Sequence, residues 1–129
     1  EVTSYIVVPD DLDLLKEAMI SMSDKEKLDL VFTSGGTGFS SRDNTPEATL
    51  AVIRKQAPGL VEAMRADSLK RTNRAMLSRA VAGIRNNTLI INLPGSVKAV
   101  RECLAVIMPA LPHGLEILTG RGGECGSAE

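Results

Sequence analysis

The run Ser34-Gly35-Gly36-Thr37-Gly38-Phe39-Ser40-Ser41-Arg42-Asp43-Asn44-Thr45-Pro46-Glu47 constrains this chain more than any other. It follows Leu30-Val31-Phe32, a short apolar stretch that reads as a buried strand. It precedes an apolar-periodic segment entered through Thr45 and Pro46, which reads as a helix with Thr45 as N-cap and Pro46 at the first helical position. A glycine loop between a strand and a helix lies where open α/β sheets hold their ligands, beyond the carboxyl ends of the strands. The backbone N–H groups of such a loop can bind a phosphate without help from a lysine.

The rest of the chain repeats the alternation. Thr3 to Val8 is rich in β-branched residues and reads as a strand, closed by Pro9-Asp10-Asp11. Leu12, Leu15, Ala18, Met19 and Met22 recur at helical spacing. Asp29 to Thr33 is a second strand, and Thr45 to Gln56 reads as a helix with Ala48, Val52 and Ile53 as its apolar stripe. Ala57-Pro58-Gly59 breaks that helix, and Leu60, Val61, Met64 and Leu69 mark another, reaching Ser68. Val81 to Arg85 and Thr88 to Asn92 flank Asn86-Asn87, a pair that tolerates positive φ and reads as a two-residue hairpin turn. Leu93-Pro94-Gly95-Ser96 leads into a helix with Ser96 as N-cap and Val100, Cys103, Leu104, Ile107 and Met108 as its stripe. Pro109 and Pro112 interrupt it before a last helical segment near Leu118. The expected fold class is α/β. It is a three-layer sandwich with a mostly parallel sheet covered on both faces, and the hairpin adds one antiparallel strand at an edge. Residues 1–120 form one domain, and residues 121–129 have the composition of a flexible tail.

Composition removes several function classes. Hydrophobic residues make up 43% and charged residues 24%, which suits a packed core. The formal net charge of -1 offers no field for nucleic acid or an anionic membrane, so any anion site must be local. Tyr5, Phe32 and Phe39 are too few for a base-stacking surface. Cys103 and Cys125 lack metal-ligand spacing, and two lone thiols suit a reducing, cytoplasmic setting. No stretch approaches a membrane span of about 20 apolar residues, and no signal-peptide pattern is legible in the first residues.

The candidate chemistry gathers at strand-to-helix junctions. The glycine loop lacks the Gly-Lys-Ser/Thr ending of a nucleotide P-loop and the spacing of a dinucleotide fingerprint, so its amides are the candidate phosphate binders. Asp43 can be read as a helix cap. With Thr45 taken as the cap, Asp43 becomes spare and faces the glycines. A carboxylate beside phosphates is repulsive unless a cation lies between, which implies magnesium if phosphates bind. Arg42 either pairs with a phosphate or stays solvated. Asp10 is either a turn residue or, if its strand neighbours the one before the glycine loop, a second carboxylate sharing a metal with Asp43. Pro94-Gly95-Ser96 is a third such junction, and Lys98 opposes the helix dipole there unless it meets an anion. Ser68 and Ser78 are possible hydroxyl donors. His113 has no spaced ligand partner, and no nucleophile elbow, zinc motif or Cys-His pair is present.

These segments resemble the molybdopterin adenylyltransferase family, the Mog-type enzymes and the gephyrin G domain. The resemblance rests on Thr33-Ser34-Gly35-Gly36-Thr37-Gly38 with Arg42-Asp43 and Thr45-Pro46-Glu47-Ala48. Val8-Pro9-Asp10, Met76-Leu77-Ser78-Arg79, Leu89 to Ser96 and Pro109-Ala110-Leu111-Pro112-His113 match in order. It implies a molybdopterin-binding-like fold and transfer of AMP from Mg-ATP to the molybdopterin phosphate. By resemblance, Asp10 and Asp43 are the essential carboxylates, acting through magnesium. Ser34, Gly35, Gly36, Thr37, Gly38 and Arg42 would bind nucleotide phosphates. Ser68, Ser78, Pro94, Gly95, Ser96 and Lys98 would help hold nucleotide or pterin. The resemblance also implies a homotrimer whose product passes to a molybdenum insertase, with no nucleic acid and no membrane partner. Its alternatives are a non-catalytic pterin-binding or scaffolding module and a MoaB-type relative.

The family opens with a further strand ending in a Ser-Asp pair, a glycine-containing loop and a helix, and this sequence starts after them. At about 25 cal/mol per Å², the apolar area such a strand buries is large against a stability margin of about 5–15 kcal/mol. The chain alone is therefore expected to melt below a form extended upstream; circular dichroism melting of the two, giving equal midpoints, contradicts this.

Overall fold

The computed structural model of the protein describes residues 1–121 of the 129. Helix α1 (Leu12–Asp24) is followed by strand β1 (Leu30–Ser34), helix α2 (Thr45–Val52) and the short strand β2 (Lys55–Gln56). Helix α3 (Pro58–Leu69), a 3-10 turn (Asn73–Leu77) and strands β3 (Ala82–Arg85) and β4 (Thr88–Leu93) come next. Helices α4 (Val97–Ile107) and α5 (Leu111–Thr119) complete the described chain. The strands form one sheet in the order β1-β4-β3-β2. The β1–β4 pair is parallel, and β3 is antiparallel to both its neighbours, so β3 alone runs against the others.

Strand β4 is central and buried along its whole length, and its alternation builds two cores. Leu89, Ile91 and Leu93 join Val61 and Met64 of α3, Cys103 and Ile107 of α4 and Leu111 of α5. Ile90 turns the other way, with Val31, against Met19 of α1 and Ala48 and Val52 of α2. The sheet is thus covered on both faces, giving the expected three layers. The helices start where local chemistry directs. Asp11 caps α1 by accepting from Leu14 N at 3.0 Å, and Ser96 caps α4 by accepting from Ala99 N at 3.2 Å.

Four expectations change. Residues 3–8 are not a strand: the segment is irregular, with Tyr5 84% and Val7 79% exposed. Their β-branched composition records a preference, but a strand is stable only where a ladder partner exists. The helix begun at Thr45 stops at Val52 instead of Gln56. Ile53 turns extended, Arg54 N donates to Ile84 O at 2.7 Å and Ala57 N to Ala82 O at 2.8 Å. The outer edge of β3 claims this segment as β2, and Pro58 biases Ala57 away from helix. The Ile53 side chain lies over Gly83, where a Cβ would collide with it and with the Lys55 carbonyl. Consequently β3 is an inner strand and not the edge. At the hairpin turn only Asn86 takes positive φ, 52°. Of the expected tail, Arg121 pairs with Asp29 at 2.8 Å; residues 122–129, with Cys125, lie outside the described residues.

One polar side chain in the core ties the layers together. Asn92 is fully buried on β4. Its Oδ1 accepts from Val81 N at 2.9 Å, and its Nδ2 donates to Thr33 Oγ1 and Thr49 Oγ1, both at 2.9 Å. Thr49 Oγ1 in turn donates to Thr45 O at 2.8 Å. Replacing Asn92 with alanine leaves the part-buried Val81 N–H and two hydroxyls short of a partner and opens a void. Urea denaturation of Asn92→Ala is expected to show a loss of about 2–4 kcal/mol; a loss below about 1 kcal/mol, the size of a single ordinary hydrogen bond, would mean the network is dispensable.

Candidate functional site

Ser34 ends β1 opposite Leu93, which ends β4, so two loops leave the same edge of the sheet side by side. They are stitched together. Gly35 N donates to Leu93 O at 3.0 Å and Ser34 Oγ donates to Pro94 O at 2.9 Å. The backbones of Gly35 and Gly95 face each other, with room for a methyl group and little more. The first loop is the glycine run; the second is Pro94-Gly95-Ser96 at the start of α4. The edge therefore carries a glycine turn and a helix N-terminus, two sources of N–H groups and positive potential.

The glycine turn is locally enforced. Gly35 and Gly36 have φ of 87° and 70°, a left-handed pair that side chains disfavour. Gly36 O accepts from Thr45 N at 3.2 Å, and a Cβ on Gly36 would collide with Thr45 Oγ1. Thr45 therefore takes the first position inside α2, Pro46 the second, and Asn44 the N-cap position without a side-chain cap bond. The expected caps shift by one residue because Thr45 is held against the glycine turn.

Asp43 does not cap α2, but it is not spare. Its Oδ2 accepts from Ser40 N at 2.8 Å, and Asp43 N donates to Ser40 O at 3.0 Å, closing the 40–43 turn. The same carboxylate lies against Gly38: a Cβ there would sit 2.9 Å from Oδ2. Asp43 thus faces the glycine loop, as expected, half-buried. Arg42 is exposed beside it, its N–H donating to Ser40 Oγ at 3.2 Å.

The remaining candidates divide. Asp10 is exposed on a bend before α1. The segment ahead of it is not a strand, so the sheet-edge argument that put Asp10 beside Asp43 is not met. Among the described residues no three His, Cys, Asp or Glu gather as a metal cluster. Ser96 and Lys98 lie at and just inside the start of α4, both exposed. Ser78 is half-buried, and its Oγ accepts from Ala80 N at 3.3 Å. Ser68, near the end of α3, is hydrogen-bonded to the Cys103 thiol, which burial pushes above its ordinary pKa.

Arg79 is the residue that sequence reasoning passed over. Its N–H donates to Thr37 O at 2.8 Å, its Nε to Gly38 O at 2.7 Å and its Nη2 to Asp43 O at 2.7 Å. Its Nη1 meets Glu47 Oε2 at 2.6 Å. Nothing in the local pattern signals this, because its side-chain partners lie 32 to 41 residues earlier. Two other concavities lie elsewhere. An apolar groove of about 420 Å³ between α3 and α4 has no side chain suited to a phosphate, and a polar hollow of about 370 Å³ lies by the Asn86-Asn87 turn.

The hydrogen bond from Arg79 holds the Glu47 carboxyl below its ordinary pKa. A depressed carboxyl adds stability that is present above the unfolded-state value, about 4.3, and is lost as pH falls through the lower folded value. The pair is partly exposed, so solvent screens it. The stability gap between wild type and Glu47→Gln is expected to hold steady from pH 7 to about 5 and to shrink below about 4.3, as followed by urea denaturation. A gap that widens as pH falls would contradict the pairing.

Residues 1–113 match the family described as a probable molybdopterin binding domain. The chain is 50% identical over 116 residues to the molybdopterin adenylyltransferase of Helicobacter pylori strain J99, covering 90% of this chain and 66% of that protein. It thus spans just under two thirds of that relative's length. It is 47% identical over 120 residues to gephyrin of Dictyostelium discoideum, covering 93% of this chain and 17% of gephyrin. The crystal structure of the molybdopterin biosynthesis enzyme MoaB from Thermus thermophilus superposes with a TM-score of 0.88 at 49% identity, over 93% of this chain and 76% of that one. With the glycine loop and the sheet order in hand, the match over residues 1–113 establishes that this chain belongs to the family of molybdopterin-binding domains.

Proposed function

We propose that this domain transfers AMP from Mg-ATP to the terminal phosphate of molybdopterin, in the cytoplasm and as part of a homotrimer that passes its product to a molybdenum insertase. The observation that carries the reading is the joined pair of loops at the carboxyl edge of β1 and β4, with Asp43 against Gly38. The relative from Helicobacter pylori named for this activity supports it.

The reaction suits such a site. A pterin phosphate oxygen attacks the α-phosphorus of ATP, the bond to the bridging oxygen breaks, and pyrophosphate leaves with the bond's electrons. No side-chain nucleophile is required, so the protein's work is to hold two polyanions in line and to spread their charge. Amides of Gly36, Thr37 and Gly38 would receive the nucleotide phosphates, with Gly35, whose own N–H is held by Leu93 O, turning the backbone toward them and Arg42 at the rim. The start of α4, with Pro94, Gly95, Ser96 and Lys98, would take the second anion. Ser34 contributes by fastening the two loops together. Ser78 would serve at the margin. Ser68 keeps a weaker claim, since its hydroxyl engages Cys103.

Magnesium fits the donor set in a limited way. Magnesium keeps several waters and is commonly held by one or two carboxylates plus substrate phosphates. Asp43 supplies such a carboxylate beside an amide-lined anion site, and Asp10 would be a second only if the segment before α1 brings it there. When bound with nucleotide, the ion would neutralise phosphate charge. Asp43 would orient it while its own turn stays closed by Ser40 N.

Asp43→Asn is a clean probe, because an amide oxygen can still accept from Ser40 N and keep the turn closed. With molybdopterin, Mg and ATP, the variant is expected to bind pterin normally and to lose about tenfold to a hundredfold in turnover, what a metal-supporting carboxylate contributes. Wild-type turnover would sink the role given to Asp43. Loss of stability alone, by about 1 kcal/mol, would reduce it to a turn residue.

A further inference from the structure

Arg79 is attached to the glycine loop at three points and to α2 at a fourth, although it follows the 3-10 turn on the far side of α3. Its guanidinium has five N–H donors in a rigid fork. One reaches Gly38 O, one reaches Asp43 O, and two meet the two oxygens of Glu47, at 2.6 and 3.4 Å. Four of the five donors are therefore committed to the protein. An arginine so engaged has little left to offer a substrate phosphate, unlike the exposed Arg42 nearby.

The two carbonyls it holds lie at the two ends of the segment that carries Asp43. Between them, Ser40 and Asp43 close their own turn through Ser40 N–Asp43 Oδ2 and Asp43 N–Ser40 O. That small turn is rigid within itself but is set relative to the sheet through its ends. Arg79 fixes both ends, and its own N–H holds Thr37 O just ahead of them. Glu47, in the first turn of α2, aims the fork. A lysine could keep one of these contacts. Its single ammonium could not span two carbonyls and a carboxylate in one plane.

We propose that Arg79 is a positioning residue: it sets the Gly38–Asp43 turn, and hence the Asp43 carboxylate, at the distance from the glycine amides that the reaction requires. The activity readout rests on the adenylyl-transfer reading; the structural readout does not. Arg79→Lys is compared with wild type in two ways. Amide hydrogen exchange at Ser40 and Asp43 is expected to speed up by about tenfold or more while Ile90 and Ile91 of β4 stay protected, because only the local opening has become easier. In the adenylylation assay kcat is expected to fall about tenfold to a hundredfold while KM for molybdopterin stays within about threefold, the pattern of lost alignment and not of lost binding.

Unchanged exchange at Ser40 and Asp43 would overturn the proposal. So would equal acceleration at Ile90 and Ile91, which would make Arg79 a plain stability residue. Should Arg79→Lys fail to fold, Glu47→Gln keeps the guanidinium and loosens its aim. It is expected to raise exchange at the same two amides by a smaller factor, and no change there would equally overturn the proposal. Because exchange needs no turnover, it decides the role of Arg79 even if the adenylyl-transfer reading fails.

Discussion

Asn92 lies one residue before the carboxyl end of β4, next to the aliphatic run Leu89 to Ile91 that faces both layers. An amide in that place is costly unless every polar atom finds a partner. Here it does: one side chain joins β1 through Thr33, α2 through Thr49 and the approach to β3 through Val81. Those three connections meet just before the two loops leave the sheet. The direction in which the glycine loop departs, the depth at which α2 sits and the path of the chain after Ser78 all depend on this satisfied amide. A hydrogen-bonded group in a low-dielectric core holds such geometry more tightly than apolar packing does, because an alternative arrangement would strand its donors.

From that joint the site is assembled outward. Thr49 passes the constraint to Thr45, Thr45 N holds Gly36 O, and Gly36 adopts a backbone conformation that a side chain could not share. Val81 passes it the other way, toward Arg79, which returns across the loop to Thr37, Gly38 and Asp43. The loop is thus gripped from both ends by elements that the same core residue positions. Its glycines supply freedom of φ, and its neighbours remove the flexibility that this freedom would otherwise bring. The phosphate binding proposed for the loop's amides requires a fixed backbone, and here the grip fixes it as much as the glycines do.

The departures from the sequence reading have a common cause. Residues 3–8 have strand composition without a neighbouring strand, and residues 53–56 have helical spacing beside a strand with a free edge. In both places long-range hydrogen bonding outweighs local preference, in opposite directions. Asp43 is recognisable as more than a helix cap because the capping residues outnumber the helix they precede, although the frame of those caps moves by one residue. The case for Asp10 beside Asp43 depends on adjacent strands, and it loses that support with its strand. Arg79 lies inside a segment already notable for its resemblance, yet its task is legible only through carbonyls that belong to another part of the chain.

Local sequence is enough to specify the helices and the strands β1, β3 and β4, the glycine turn and the helix start at Ser96. Each of these follows from periodicity, capping chemistry or the steric freedom of glycine, all of which act over a few residues. Other features exist only in the folded molecule: which strands are neighbours, the inner place of β3, the bond by which Ser34 fastens one loop to the other, and the span of Arg79 across the Asp43 turn. These are contacts between residues tens of positions apart. Hydrogen-bond geometry selects such partners only after the core has brought them within reach, and no local pattern records that meeting in advance.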